Sequence, residues 1–207
     1  MSIGKYQVSP LGWIVAVVIG LALLTHFVQA DGMEAKVGAA APVFTLSNAV
    51  DGKIISLTDF KGQVVVLVFD STRCPVAAAY HERMKEFYAK YCTGDKPKVA
   101  MVAIDSNSNP NEDVAEIAAM VKQKGFAYPW VKDEGSKVAD LYGARVTPHV
   151  FLVDGAGNIQ YNGPIDDNMK VNKVTQHYLE AATDALLAGK DVPAAGMRAF
   201  GCGIKRP

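Results

Sequence analysis

Cysteine is scarce in this chain, which has three in 207 residues. Three cysteines are too few for a small domain held together by disulfide bonds, and an odd number leaves at least one thiol unpaired within a single chain. Positive charge is not in excess either, because 21 basic and 21 acidic residues give a formal net charge of +0. The sequence also contains no basic run interleaved with aromatic residues, no internal repeat and no low-complexity segment. These absences exclude a disulfide scaffold, a repeat protein and a nucleic-acid partner.

The first thirty residues are almost uncharged, with Lys5 as their one charged side chain. Residues 11–24 are apolar or glycine throughout, and residues 28–30 (Val-Gln-Ala) have the small-x-small pattern of a signal-peptidase site. A basic start, a short apolar run and such a site predict a secretory signal peptide. An uncleaved membrane anchor is the alternative, because residues 11–30 are nearly long enough to span a bilayer. Both alternatives place the rest of the chain in the periplasm or outside the cell, touching a membrane only through this segment.

The remaining chain is predicted to form one domain over residues 37–190 and a C-terminal tail over residues 191–207 that carries Cys202. Apolar runs rich in β-branched residues predict buried strands at 64–69 and 99–104. Apolar residues at helical spacing, together with start and stop signals, predict helices at 75–91, 111–124 and 171–187. An Asp-Gly turn at residues 51–52 predicts an N-terminal hairpin. This alternation predicts an α/β fold with a central mixed sheet flanked by helices.

Cys74 stands where the first buried strand gives way to a helix, and this position makes it the leading candidate for chemistry. Pro75 follows it and suits the first position of a helix, where its missing N–H is no loss. A sulfur beside the first helical turn lies near unpaired backbone N–H groups, which favour the reactive thiolate. We therefore predict that Cys74 is a nucleophile. A buried structural cysteine is the alternative.

The segment around Cys74 resembles the active-site segment of the thioredoxin-like redoxins, and among these the alkyl hydroperoxide reductase/thiol-specific antioxidant (peroxiredoxin-like) family. The resemblance is carried by Phe69-Asp70-Ser71-Thr72-Arg73-Cys74-Pro75, Tyr80, Arg83, Gly143-Ala144-Arg145-Val146-Thr147-Pro148, Ile165-Asp166-Asp167-Asn168 and Gly201-Cys202-Gly203-Ile204-Lys205. It covers about residues 37 to 205 and implies a thioredoxin-like fold. It also implies an oxidoreductase that acts on a disulfide or a peroxide, is restored by an external thiol reductant, and needs no organic cofactor or metal.

The same resemblance assigns roles to residues near Cys74. Thr147 and Pro148 look like the family's cis-proline loop, which would face the start of the Cys74 helix and form the wall against which the substrate sits. Ser71 fills the hydroxyl position of the peroxide-reducing pattern, and Arg73 is the candidate for positive charge next to the sulfur. Leu67 departs from the pattern, because it stands where that pattern has proline.

A second departure concerns the partner of Cys74. Ala77 stands where a C-x-x-C motif would have its second cysteine, so a local disulfide is excluded. Cys92 lies 18 residues along the predicted helix, roughly 27 Å away, whereas disulfides need Cα atoms within about 7 Å. Cys202 is the remaining candidate for a resolving thiol, because the glycines on either side of it permit a close approach. The alternative is a flexible tail with an idle thiol.

Two functions from other classes stay open at this point. Cys74, Cys202 and His149 form a possible copper-binding set, since thiolates suit Cu(I) and some exported redoxin-like proteins are metallochaperones. The redoxin scaffold without catalysis, used as a binding module, is the third possibility. Asp166 and Asp167 are interpreted as turn residues after Pro164, rather than as metal ligands.

Overall fold

The computed structural model describes residues 35–207. The predicted signal peptide or anchor at residues 1–30 lies outside the described residues. Among residues 35–207, no helix combines the length and the apolar character that crossing a bilayer requires.

The strands are β1 (Thr45–Ser47), β2 (Ile54–Ser56), β3 (Val64–Asp70), β4 (Val99–Asp105), β5 (Trp130–Lys132), β6 (Val146–Thr147), β7 (His149–Val153), β8 (Ile159–Gly163) and β9 (Cys202–Gly203). Five of them form a mixed sheet in the order β5-β4-β3-β7-β8. β3 pairs in parallel with β4 and antiparallel with β7. The predicted central mixed sheet is confirmed.

Two further strand pairs lie outside this sheet. β1 and β2 form the predicted N-terminal hairpin, with antiparallel pairing. β6 pairs antiparallel with β9, so that Val146 lies opposite Gly203 and Thr147 opposite Cys202. The second pair brings the C-terminal tail back onto the domain.

The helices are α1 (Pro75–Ala78), α2 (His81–Tyr91), α3 (Val114–Lys124), α4 (Lys137–Tyr142) and α5 (Tyr178–Leu187). The prediction of one helix over residues 75–91 is wrong, because a tighter turn interrupts the α-helical hydrogen bonding between α1 and α2. The Tyr80 N–H donates to the carbonyl of Ala77, only three residues back, at 2.8 Å. The Arg83 guanidinium donates to the carbonyl of Ala79 at 3.1 Å and holds this interruption.

Two other helices begin later than the spacing predicts. α3 starts after Asp113, whose side chain accepts the N–H of Glu116 at 2.8 Å and caps the helix. The closing helix begins at residue 178 rather than 171, because the segment before it is held in a loop. In that loop the Thr175 N–H and hydroxyl both donate to the Asp167 carboxylate, at 2.9 and 2.5 Å.

Every residue of β3 is buried, because the sheet is covered on both faces. Val64, Val66 and Val68 belong to one apolar cluster, and Val65, Leu67 and Phe69 to the other. Burial on both faces explains the uninterrupted apolar run in the sequence. It also places Cys74 just beyond the carboxyl end of a central strand.

Candidate active site

Cys74 is the N-cap residue of α1, as its place before Pro75 predicts. Its sulfur accepts the backbone N–H of Ala77 at 3.3 Å and donates to the carbonyl oxygen of Thr147 at 3.1 Å. The residue is only 4 % exposed. The thiol is thus held between the first turn of α1 and the loop that contains Thr147.

The Thr147–Pro148 peptide bond is cis. This is the geometry that the family resemblance implies for the loop. The loop meets Cys74 although Thr147 is 73 residues away in sequence. The loop therefore lies beside Cys74, with the Thr147 carbonyl as its contact to the sulfur.

Cys202 reaches the same place through the pairing of β9 with β6, in which it lies opposite Thr147. Gly201 makes this approach possible, because a Cβ atom there would fall 2.0 Å from the carbonyl oxygen of Thr147. The pairing thus depends on a glycine directly before Cys202. The tail is docked, unlike the flexible tail considered from the sequence.

The two thiols interact electrostatically. Burial raises the pKa of Cys202, and the neighbouring Cys74 thiol raises it further. The backbone N–H of Val76 and the charge of Lys205 act in the opposite direction. Cys202 therefore keeps its proton at neutral pH. Both cysteines are free thiols in this structure.

Hydrogen bonds on either side of β9 hold the tail in register. The Ile204 N–H donates to the carbonyl of Arg145 at 3.0 Å. The Lys205 N–H donates to the side-chain oxygen of Asn107 at 2.7 Å, and the Lys205 carbonyl accepts the N–H of Ser108 at 2.6 Å. The segment that carries Cys202 is thus fixed beyond the β6–β9 pair itself.

Ser71 and Arg73 direct their side chains towards α3 and the segment before it. The Ser71 hydroxyl donates to the Glu112 carboxylate at 2.7 Å. The Arg73 guanidinium donates to the Glu116 carboxylate at 2.7 Å and to the carbonyl of Asn111 at 3.3 Å. These bonds anchor the loop before Cys74, whereas the sequence suggested that both groups would face the sulfur.

Sequence reasoning missed the buried carboxylate of Glu112, which is only 2 % exposed. Its oxygen accepts both the Ser71 hydroxyl and, at 3.2 Å, the side-chain amide of Asn107. No local pattern marks Glu112, because it precedes α3 among other polar residues and its partners come from other segments. The burial of Glu112 follows only from the folded structure.

The acidic turn after Pro164 is also more than a turn. Asp166 is buried, forms an ion pair with Arg83 and accepts the Tyr80 hydroxyl at 3.0 Å. The Arg83 guanidinium also lies over the Tyr80 ring, 3.8 Å from its centre. Asp166 thus joins two residues that the family resemblance had singled out and ties the α1–α2 junction to the loop before α5.

His149 bonds to a residue of β8, and Cys92 lies at the far end of α2. The Nε2 atom of His149 lies 2.6 Å from the side-chain oxygen of Asn162, and burial lowers the His149 pKa. Cys92 is buried, which raises its pKa to about 12 and suits the structural role predicted for it. Within residues 35–207, no cluster of three or more His, Cys, Asp or Glu side chains is arranged to hold a metal ion.

Comparison with known proteins agrees with this geometry. The AhpC/TSA family matches residues 37–162. A thiol-disulfide oxidoreductase ResA of Bacillus thuringiensis (strain Al Hakam) is 32% identical over 141 residues, which cover 68% of this chain and 76% of that protein. A chloroplastic peroxiredoxin Q of Gentiana triflora is 26% identical over 155 residues, covering 70% of this chain and 67% of that protein.

A solved structure resembles the chain over more of its length. A hypothetical protein of Sinorhizobium meliloti 1021 superposes with a TM-score of 0.76 and 34% identity, covering 84% of this chain and 97% of that one. The family match spans more than half of the chain, and the fold and the cysteine–proline junction agree with it. The chain therefore belongs to the AhpC/TSA family of thioredoxin-like redoxins and is an oxidoreductase.

Proposed function

We propose that this protein is an exported thiol–disulfide oxidoreductase in which Cys74 and Cys202 are the redox pair. The observation that carries this proposal is the register of β6 with β9. Thr147 lies opposite Cys202 and accepts a hydrogen bond from the Cys74 sulfur, so two distant cysteines share one site. The influence of the Cys74 thiol on the pKa of Cys202 supports the same conclusion.

The reaction begins when the Cys74 thiolate attacks one sulfur of a substrate disulfide R–S–S–R′. A mixed disulfide between Cys74 and R forms, and R′–S⁻ leaves and takes up a proton. Cys202 then loses its proton and attacks the Cys74 sulfur, which releases R–S⁻ and closes the Cys74–Cys202 disulfide. Two electrons have passed to the substrate, and an external dithiol returns them by the same exchange.

Access to Cys74 requires movement of the tail. The sulfur is buried, and β9 packs against the start of α1 as well as against β6. Separation of β9 from β6 would open the sulfur to a substrate and leave the Thr147–Pro148 wall free to receive it. Redocking of β9 would then bring Cys202 back to resolve the mixed disulfide.

The contacts of Ser71 and Arg73 favour a disulfide over a peroxide as substrate. A peroxide would need polarising groups at the sulfur, but both side chains are engaged with carboxylates of Glu112 and Glu116. The similarity to a protein named thiol-disulfide oxidoreductase supports the same choice. Export is inferred from the predicted signal or anchor at residues 1–30.

Three single substitutions test this proposal. Cys74→Ser should abolish reduction of insulin disulfides, and Cys202→Ser should accumulate a mixed disulfide at Cys74. Cys92→Ser is the matched control and should retain full activity. Intact mass after alkylation of the oxidised wild-type protein should show a loss of two hydrogens assigned to a Cys74–Cys202 peptide. Failure to find this bond, or faster consumption of peroxide than of disulfide, would contradict the proposal.

A further inference from the structure

A buried hydrogen-bonded bridge connects the loop before Cys74 to the tail that carries Cys202. Its centre is the Glu112 carboxylate, whose Oε2 atom accepts one bond from Ser71 and one from Asn107. All three residues are buried. A buried carboxylate that loses its donors is costly, so the bridge resists breaking.

On the Cys74 side, Glu112 determines the orientation of the Ser71 hydroxyl. The Ser71 hydroxyl gives its one proton to Glu112 at 2.7 Å and accepts the backbone N–H of Arg73 at 3.1 Å. Arg73 is the residue directly before Cys74. The orientation that Glu112 imposes on Ser71 therefore passes to the backbone that presents the Cys74 sulfur.

On the Cys202 side, the amide of Asn107 is used at both of its ends. Its nitrogen donates to Glu112 at 3.2 Å, and its oxygen accepts the Lys205 N–H at 2.7 Å. Lys205 lies three residues after Cys202 in the docked tail. The bridge thus runs from the loop before one cysteine to the segment after the other.

We infer that Glu112 and Asn107 are positioning residues of the dithiol. This inference rests on the proposed Cys74–Cys202 pair. It adds which residues determine how readily the two thiols form their disulfide. The bridge restricts the reduced tail, so that Cys202 stays beside Cys74 and little freedom is lost when the disulfide forms. Without the bridge, the tail keeps its pairing with β6, the Arg206 ion pair with Asp140 and the bond from Ser108 N–H to the Lys205 carbonyl. The Lys205 N–H is then no longer held in place through Asn107.

The reaction that measures this effect is closure by glutathione disulfide. The Cys74 and Cys202 thiols and one glutathione disulfide give the intramolecular disulfide and two reduced glutathiones, so atoms and electrons balance. The purified protein is equilibrated at pH 7 with mixtures of the two glutathione forms. Alkylation and intact mass then give the fraction closed, and hence the equilibrium constant.

Glu112→Ala should lower this equilibrium constant about tenfold, since it removes the acceptor of two buried donors. Glu112→Gln should restore it to near the wild-type value, because one amide oxygen accepts both bonds. Glu86→Ala is the matched control, an exposed glutamate on α2, and should leave the constant unchanged. Loss of stability alone would lower the free energy of unfolding without moving the equilibrium with glutathione.

Asn107→Ala and Ser71→Ala each remove one of the two hydrogen bonds to Glu112. These two variants test the inference if Glu112→Ala does not fold. Each should lower the constant by a similar factor, and the double variant should lower it by less than the product, because both break the same bridge. If the wild-type protein forms the Cys74–Cys202 disulfide and both single variants form it with the same equilibrium constant, the inference is overturned and the proposed function remains intact. Wild-type protein that never forms the Cys74–Cys202 disulfide would instead refute the proposed function.

Discussion

Thr147 contacts Cys202 and Cys74 at once, since it lies opposite Cys202 in the β6–β9 pair while its carbonyl accepts a hydrogen bond from the Cys74 sulfur. The Thr147–Pro148 loop, to which the family resemblance assigns substrate contact, therefore also binds the chain's own C-terminal tail. In the proposed function, the substrate and the tail would compete for the same strand edge.

Gly201→Ala should displace the tail, because the added Cβ would fall 2.0 Å from the Thr147 carbonyl oxygen. We expect alkylation of Cys74 by iodoacetamide to become about tenfold faster. The docked tail exposes the Cys74 sulfur only when it opens, whereas a displaced tail leaves the sulfur exposed. Closure of the Cys74–Cys202 disulfide should become slower. Peptide mapping after timed alkylation measures the first rate, and non-reducing gels measure the second.

Gly203→Ala provides the matched control for this experiment. A Cβ on Gly203 meets no heavy atom within 4 Å, so the tail should stay docked and both rates should stay at wild-type values. Equal behaviour of the two alanine variants would show that the Gly201 contact does not govern access to Cys74.

Cys92 should resist alkylation in the folded protein. Burial raises its pKa to about 12, so almost no thiolate is present at pH 8. Mass spectrometry should find Cys92 unmodified until denaturant is added, and modified at once afterwards. Rapid labelling of Cys92 under native conditions would contradict the burial on which this prediction depends.

Oxidation should stabilise the protein strongly. The Cys74–Cys202 bond would close a loop of roughly 130 residues, which in the chain-entropy model stabilises the fold by about 5 kcal/mol. Urea titrations of the oxidised and the reduced protein would measure this difference. Cys202→Ser should show no difference between the two conditions, and a wild-type protein that also showed none would argue against an intramolecular bond.

Asp166→Asn should destabilise the fold by about 3 kcal/mol, because it leaves the largely buried Arg83 guanidinium without its charged partner. It also weakens the acceptor of the Tyr80 hydroxyl. Urea unfolding monitored by circular dichroism measures the loss. The neighbouring Asp167→Asn is the control and should cost far less, since that carboxylate bonds to Thr175 at the surface. Equal losses for the two variants would contradict the role assigned to Asp166.

Asp105 should make the stability depend on pH. Burial, together with the nearby charge of Glu112, raises its pKa from 3.8 to about 7, although Lys132 opposes this shift. Between these two values the unfolded chain has lost the Asp105 proton while the folded protein still holds it. The folded state then binds more protons, so its contribution to the free energy of unfolding falls as pH rises from about 4 to about 7.

The comparison of Asp105→Asn with the wild type isolates this contribution, because His149 acts with the opposite sign. Burial lowers the His149 pKa below 6.5, so stability contributed by this residue rises with pH up to that value. The difference in free energy of unfolding between the two proteins, measured by urea at several pH values, should change steadily from pH 4 to 7. A constant difference would show that Asp105 ionises normally.

The sequence was sufficient for the parts of the fold that depend on local pattern. The apolar run of β3 predicts a strand covered on both faces, and Pro75 after Cys74 predicts the start of α1. The hairpin around Gly52 follows from its turn residues. In each case the residues that decide the structure are neighbours in the chain.

The rest depended on contacts between distant segments. Glu112 is a buried acceptor only because Ser71 and Asn107 converge on it. α5 begins late because Asp167 holds Thr175, which helical spacing alone does not reveal. The family resemblance places Ser71 and Arg73 at the sulfur, yet carboxylates before and within α3 bind both. Tertiary hydrogen bonds override local inference in all three cases.

The order of synthesis has a consequence for the β6–β9 pair. Cys74 and Cys92 leave the ribosome early, whereas Cys202 arrives with the last strand among the described residues. Until that strand docks, the nascent chain presents the thiols of Cys74 and Cys92 without Cys202. In the oxidising compartment that the proposed export implies, these two thiols would be able to form a disulfide with each other. Under the proposed function, such a Cys74–Cys92 disulfide would have to be reduced or isomerised before Cys202 can pair with Cys74.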